Sequence, residues 1–214
     1  MTNIAINGFG RIGRLFFRMA IEDPGMNVVA VNDLGNVENM GYLLKYDTVY
    51  GRYPKAVSAN PPPLRQPADG ADGGENGGVG GTLTVDGKSV RVLQERNPEN
   101  LPWRDLGVDI VVEATGVFAS YEKASAHLRA GAKRVVLTAP SDDADGELGK
   151  TILIGVNEDE FKTCAISSNG SCTTNAASPV AAIMDERIGV VKAALNTIHG
   201  YTATQGLVDG PSGK

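Results

Sequence analysis

Residues 4–13, Ile4-Ala5-Ile6-Asn7-Gly8-Phe9-Gly10-Arg11-Ile12-Gly13, decide the fold. The first three are apolar and partly β-branched, the pattern of a short strand buried on both faces. The last six are a G-x-G-x-x-G, a weak signal alone whose context is testable on both sides. A strand precedes it. Ile12, Leu15, Phe16, Met19 and Ala20 then follow at i, i+3, i+4, i+7 and i+8, the stripe of an amphipathic helix. Residues 28–31 (VVAV) supply the next strand, with Asp33 at its end, about 20 residues beyond Gly13. In this frame Gly8 allows a sharp turn, Gly10 omits the Cβ that would block a pyrophosphate, and Gly13 lets helix and strand approach. The N–H groups at the helix start face the phosphates, where Arg11 and Arg14 also stand. Asp33 accepts hydrogen bonds from the adenosine ribose and repels a 2′-phosphate. Like charges ~4 Å apart cost up to ~4 kcal/mol at an effective dielectric of ~20, which selects NAD over NADP. A glycine turn that only packs a helix is the plainer alternative.

Working outward, residues 108–112, 135–137 and 152–154 are further short strands, and 121–130 reads as a helix with Gly131 after it. Residues 82–93 alternate around Asp86-Gly87, a two-residue hairpin signal. The alternation of strands and helices predicts an α/β fold: a doubly wound, mostly parallel sheet with an antiparallel excursion. Residues 60–81 hold 7 Gly and 4 Pro with almost nothing apolar, so they read as a mobile surface insertion.

A second constellation is Ser168-Asn169-Gly170-Ser171-Cys172-Thr173-Thr174-Asn175. A strand over 164–168 leads in, and Ala177, Val180, Ala181, Met184 and Ile188 follow at helical spacing. Cys172 therefore falls at a helix start, with Ser171 or Thr173 as cap. Positive partial charge there draws a thiol down from its free value near ~8.5. Pro179 should kink that helix or shorten its first segment. His199 ends a strand-like run over 190–198 and, if the fold joins the two, serves the thiol as base. Cys164 reads as structural, and His127 as a solvated residue beside Glu122 and Arg129.

Composition bounds the rest. The chain has 214 residues, 42% of them hydrophobic, and a net charge of −5, which argues against nucleic acid or an anionic membrane as partner. No apolar run reaches the ~18 residues of a membrane span. Two Cys and two His do not build the usual closed zinc site, so no metal is expected. The start lacks a basic segment followed by an apolar one, so reduced thiols and a cytoplasmic location are expected.

At this point INGFGRIGR (6–14), VND (31–33), LLKYDTVYGR (43–52), VDIVVEATGVF (108–118), SNGSCTTN (168–175) and HGYTATQ (199–205) closely resemble phosphorylating glyceraldehyde-3-phosphate dehydrogenase. The resemblance implies a Rossmann-type NAD-binding domain over 1–171, carrying 60–81 as an insertion. It also implies the start of an incomplete α+β catalytic domain over 172–214. Cys172 would be the nucleophile and His199 the base. Asn7, Gly8, Phe9, Gly10, Arg11, Ile12, Gly13, Asp33, Thr115, Gly116 and Thr138 would contact NAD. Ser171, Thr173, Thr202 and Thr204 would line sites for glyceraldehyde 3-phosphate and inorganic phosphate. The full-length family member is implied to be a homotetramer. Two alternatives stand beside this reading: an erythrose-4-phosphate dehydrogenase of the same fold, and a catalytically incompetent NAD-binding fragment. The family continues well past Lys214, so the resemblance implies a truncated chain without turnover of its own. Ala176 stands where many relatives carry a second cysteine.

Overall fold

A computed structural model describes residues 1–62 and 78–200. Thr202, Thr204 and the central part of the expected insertion lie outside the described residues. The order is β1 (Thr2–Asn7), α1 (Arg11–Ala20), β2 (Met26–Asn32), α2 (Val37–Lys45), β3 (Val57–Asn60), β4 (Gly78–Val85), β5 (Lys88–Gln94), β6 (Ile110–Glu113), α3 (Tyr121–Arg129), β7 (Arg134–Leu137), β8 (Gly149–Thr151), β9 (Ile166–Ser168) and α4 (Cys172–Arg187). The strands form one sheet in the order β3-β4-β5-β2-β1-β6-β7-β9-β8. From β5 to β8 every pairing is parallel, whereas β3, β4 and β5 pair antiparallel. Successive side chains of one strand face opposite ways. Ile6 and Val31 accordingly enter one core with Phe17, Leu44, Leu83 and Val92. Their neighbours Ala5 and Ala30 enter the other, with Trp103, Val111, Tyr121, Val135 and Ile166. The chain leaves β1 toward β2 and β5 on one side and resumes at β6 on the other. The strand order thus reverses between β1 and β6, where a doubly wound sheet opens a crevice at the carboxyl ends of its strands.

The hairpin forms as its sequence dictates. Asp86 (φ 45°) and Gly87 (φ 82°) are both left-handed, the requirement of a type I′ turn between right-twisted strands. Helix α3 begins at the expected residue, capped by the Ser120 side chain, and Gly131 (φ 111°) follows it.

Several expectations are corrected. The buried line of α1 is Gly13, Arg14, Phe17 and Ala20, while Ile12 and Met19 are exposed. The close approach of Gly13 to β1 fixes which face turns inward, and that contact outweighs apolar spacing. The strand expected at 152–154 lies at Gly149–Thr151. Ile152 still donates to Ser168 O, and the chain then turns, with Leu153 O accepting from Val156 and Asn157. Gly78–Gly81, expected in the insertion, belong to β4, where a bulge puts Gly81 at φ 125° and a Cβ there would lie 2.4 Å from Asn60 O. Residues 190–198 form no strand, because no neighbouring strand offers them a ladder. His127 is fully buried instead of solvated, since Tyr121, Ala124 and His127 share the face of α3 that meets the sheet.

Candidate active site

The crevice at the strand-order reversal has a volume of about 340 Å³, and Asn7, Gly8, Gly10, Asp33, Thr115 and Phe118 are among its walls. Gly8 (φ 93°) stands so close to the β6 loop that a Cβ would lie 2.6 Å from Thr115 N. A Cβ on Gly13 would lie 2.0 Å from Gly8 O, so these two glycines are required by packing. Gly10 is different: nothing lies within 4 Å of where its Cβ would be. The space beside it is open crevice, and α1 begins there with no side-chain cap, leaving leading N–H groups for a ligand.

Asp33 sits just past β2 and holds the turn in place. Its Oδ2 accepts from Phe9 N at 2.7 Å and its Oδ1 from Gly35 N at 2.8 Å. Each oxygen keeps acceptor capacity for a ribose hydroxyl. Phe9 is buried edge-on against Phe17, so only its backbone is available to the crevice. Arg11 lies 3.8 Å from Asp47, and the buried Arg14 donates to Phe9 O at 2.9 Å, bracing the turn from below. Gly116 (φ 72°) turns the loop after β6, and Thr138 ties β7 to β6 through Glu113 O, at 3.0 Å from its N and 3.1 Å from its Oγ1. Ile12 is exposed at the first turn of α1.

Two strands along, β9 ends at Ser168 and the chain turns through Gly170 (φ 67°) into α4. The Ser171 Oγ accepts from Thr174 N at 3.0 Å and caps the helix, so Cys172 is its first residue. Sheet order puts Cys172 on the carboxyl edge that carries the crevice, two strand spacings (about 10 Å) from β6. Its Sγ lies 3.0 Å from His199 Nε2. His199 Nδ1 donates to Gly200 O at 2.6 Å, which leaves Nε2 to the sulfur. That hydrogen bond, with the charge of the ring and donors from Thr173, draws the Cys172 thiol below its ordinary value, and the sulfur in turn raises the imidazole. Both groups are exposed. Cys164 is the opposite case: it is buried, and burial pushes its thiol up.

Helix α4 runs through Pro179 to Arg187 and buries none of its residues. Ala177, Val180, Ala181 and Met184 face the segment 190–200 across an open cavity of about 990 Å³ that also holds Cys172 and His199. Residues missed in the sequence are Glu113, Asn32 and Trp103, which join His127 in a buried polar chain behind the crevice. The acidic residue ending the apolar VDIVV run was the signal for Glu113. Among the described residues no cluster of His, Cys, Asp and Glu is placed to hold a metal ion, and no helix is long and apolar enough to cross a membrane.

Residues 2–65 and 70–121 match a family described as glyceraldehyde 3-phosphate dehydrogenase, NAD binding domain, and residues 171–214 match its C-terminal domain. Among similar curated proteins, glyceraldehyde-3-phosphate dehydrogenase of Coccidioides posadasii (strain C735) is 44% identical over 100% of this chain and 57% of its own. Glyceraldehyde-3-phosphate dehydrogenase 2 of Bacillus subtilis (strain 168) is 45% identical over 98% of this chain and 56% of its own. The cytosolic enzyme of Trypanosoma brucei brucei is 43% identical, over 100% and 58%. The chain therefore spans a little over half the length of these relatives.

Proposed function

The chain belongs to the glyceraldehyde-3-phosphate dehydrogenase family and carries its NAD-binding domain, and from that premise we propose that the whole protein converts glyceraldehyde 3-phosphate and inorganic phosphate to 1,3-bisphosphoglycerate with NAD. The observation that carries this reading is the 3.0 Å contact between Cys172 Sγ and His199 Nε2, at the first residue of a helix on the edge of the sheet that opens the crevice. The thiolate attacks the aldehyde carbon, and the sulfur–carbon bond leaves an oxyanion that the Cys172 N–H and the His199 ring hold. The protonated His199 ring gives that oxyanion its proton, and takes it back as the carbonyl re-forms with loss of the C–H hydrogen as hydride. NAD, when bound, supplies the hydride acceptor. Cys172 carries the acyl group as a thioester, and phosphate displaces it as an acyl phosphate, which keeps water from discharging the energy of oxidation.

The phosphate groups fall to Ser171, Thr173, Thr202 and Thr204, and the cofactor to Asn7, the turn from Gly8 to Gly13, Asp33, Thr115, Gly116 and Thr138. The cofactor domain is taken as 1–171, with the catalytic domain beginning at 172. For the whole protein the reading is a cytoplasmic homotetramer, in which exposed apolar side chains such as Met19, Tyr42 and Tyr50 are surface that an assembly would cover. In the full-length protein, Cys172→Ser is expected to abolish phosphate-dependent NADH formation, and retained turnover would refute the assignment. One observation favours a narrower role for the 214-residue chain itself. Helix α4 buries nothing, so the chain is expected to bind NAD in calorimetry and to form no NADH from the triose phosphate.

A further inference from the structure

A chain of buried polar side chains runs beneath the crevice, and it is wired in one direction. Trp103 Nε1–H donates to His127 Nδ1 at 3.0 Å. An indole nitrogen only donates, so Nδ1 is the acceptor and the ring carries its proton on Nε2. That N–H faces Glu113 Oε2 at 3.0 Å. The same oxygen accepts from Asn7 Nδ2 at 2.6 Å, while Oε1 accepts from Thr115 N at 2.7 Å and from the Thr115 hydroxyl. Asn7 Oδ1 accepts in turn from Asn32 Nδ2 at 2.7 Å, and the Asn32 amide is pinned to both backbone groups of Glu95 at 2.8 and 2.9 Å. Trp103 and His127 are fully buried, and Asn7, Asn32 and Glu113 are at most 5% exposed.

Packing alone does not call for these groups, because apolar side chains of similar volume would fill the space between α3 and the sheet at no desolvation cost. What the chain does is end on the cofactor side. Asn7, Thr115 and Phe118 line the crevice; Glu113 grips the first two, and the His127 ring stands edge-on to the third with centroids 6.4 Å apart. Trp103 and His127 do not reach the crevice themselves. Glu113 thus ties the end of β1 to the loop after β6, the two walls between which Gly8 and Thr115 are in close approach.

We propose that Trp103, His127 and Glu113 are positioning residues that hold Asn7 and the Thr115 loop in the geometry that binds NAD. This rests on the reading of the crevice as the NAD site. The test titrates NAD into the unaltered 214-residue chain and its variants by calorimetry, with the Tm of each taken without NAD. His127→Leu keeps bulk but leaves the Trp103 N–H without its acceptor and Glu113 Oε2 with Asn7 as its one remaining donor, so it is expected to weaken NAD binding about tenfold. His127→Gln can accept from Trp103 and donate to Glu113, and is expected to recover affinity to within about threefold. A purely structural role would lower both Tm values and leave the affinity of the folded protein unchanged. Wild-type affinity in folded His127→Leu overturns the proposal. If that variant does not fold, Trp103→Phe decides, since it keeps an aromatic ring in the core while removing the terminal donor with the pyrrole part of the indole. A loss of about threefold or more is expected there, and unchanged affinity overturns the proposal. Failure of the unaltered chain to saturate with NAD overturns the reading of the crevice, and the proposal with it.

Discussion

At the scale of single residues, the chemistry rests on one proton held between a sulfur and a ring nitrogen. The Cys172 thiol is lowered and the His199 ring is raised, each first of all by their shared hydrogen bond. The sign follows directly. The lowered thiol value means that the thiolate appears at lower pH than for a free cysteine, and the raised ring value means that the imidazolium persists to higher pH than for a free histidine, so both shifts favour the ion pair. The rate of alkylation of Cys172 by iodoacetamide should therefore rise with a midpoint below the ~8.5 of a free thiol. His199→Ala should move that midpoint up toward ~8.5 and slow the reaction several-fold at neutral pH, and an unmoved midpoint would show that the ring does not support the thiolate. Asp33 offers a second residue-scale test. Its carboxylate organises the turn through Phe9 N and Gly35 N, and the proposed cofactor reading sets it against a 2′-phosphate. Asp33→Asn is expected to weaken NAD about tenfold and to weaken NADP less or improve it, measured as the two dissociation constants.

At the scale of elements, the three glycines of the turn separate into two kinds. Gly13 faces Gly8 O at 2.0 Å from the place of a Cβ, whereas Gly10 faces open space. Gly13→Ala should cost about 2 kcal/mol through forced separation of α1 and β1, a fall in Tm of about 4–8 °C. Gly10→Ala should leave Tm within about 1 °C and weaken NAD binding instead, because the added methyl occupies the cradle. Equal effects of the two substitutions on Tm would contradict this division. The turn was legible in the sequence because its constraints are local: a strand, three glycines, a helix and an acid within one βαβ unit. The hairpin was legible for the same reason, since Asp86-Gly87 specifies its own backbone. His127 was not, because its charged neighbours Glu122 and Arg129 suggested a wet face, while the burial of Tyr121 and Ala124 at the same spacing is a tertiary fact. The stripe of α1 misled in the opposite sense, as apolar Ile12 and Met19 face solvent. Residues 190–198 show the limit of propensity. β-Branched residues do not make a strand where no ladder receives them.

At the scale of the molecule, stability is divided unequally along the chain. The sheet from β1 to β9 has a core on each face, but α4 buries nothing, and Val180, Ile183, Met184, Ile188, Val191, Leu195 and Ile198 stand exposed on it and on the segment after it. An amphipathic helix gains most of its stability from packing its apolar face. Native-state hydrogen exchange should therefore find the amides of α4 opening at far lower free energy than those of β1 and β6, by about 3 kcal/mol or more. Equal protection across the two regions would show that α4 is held by more than its own turns.

Trp103 is the chain's lone tryptophan, sealed from water and bonded to His127 on the cofactor side of the molecule. Its emission is consequently a natural optical gauge of that half only. The light should be blue-shifted while the sheet is intact and should move to the red when the sheet melts. Fraying or loss of α4 would leave the spectrum untouched, so a fluorescence melt and a far-ultraviolet dichroism melt of the same sample need not coincide.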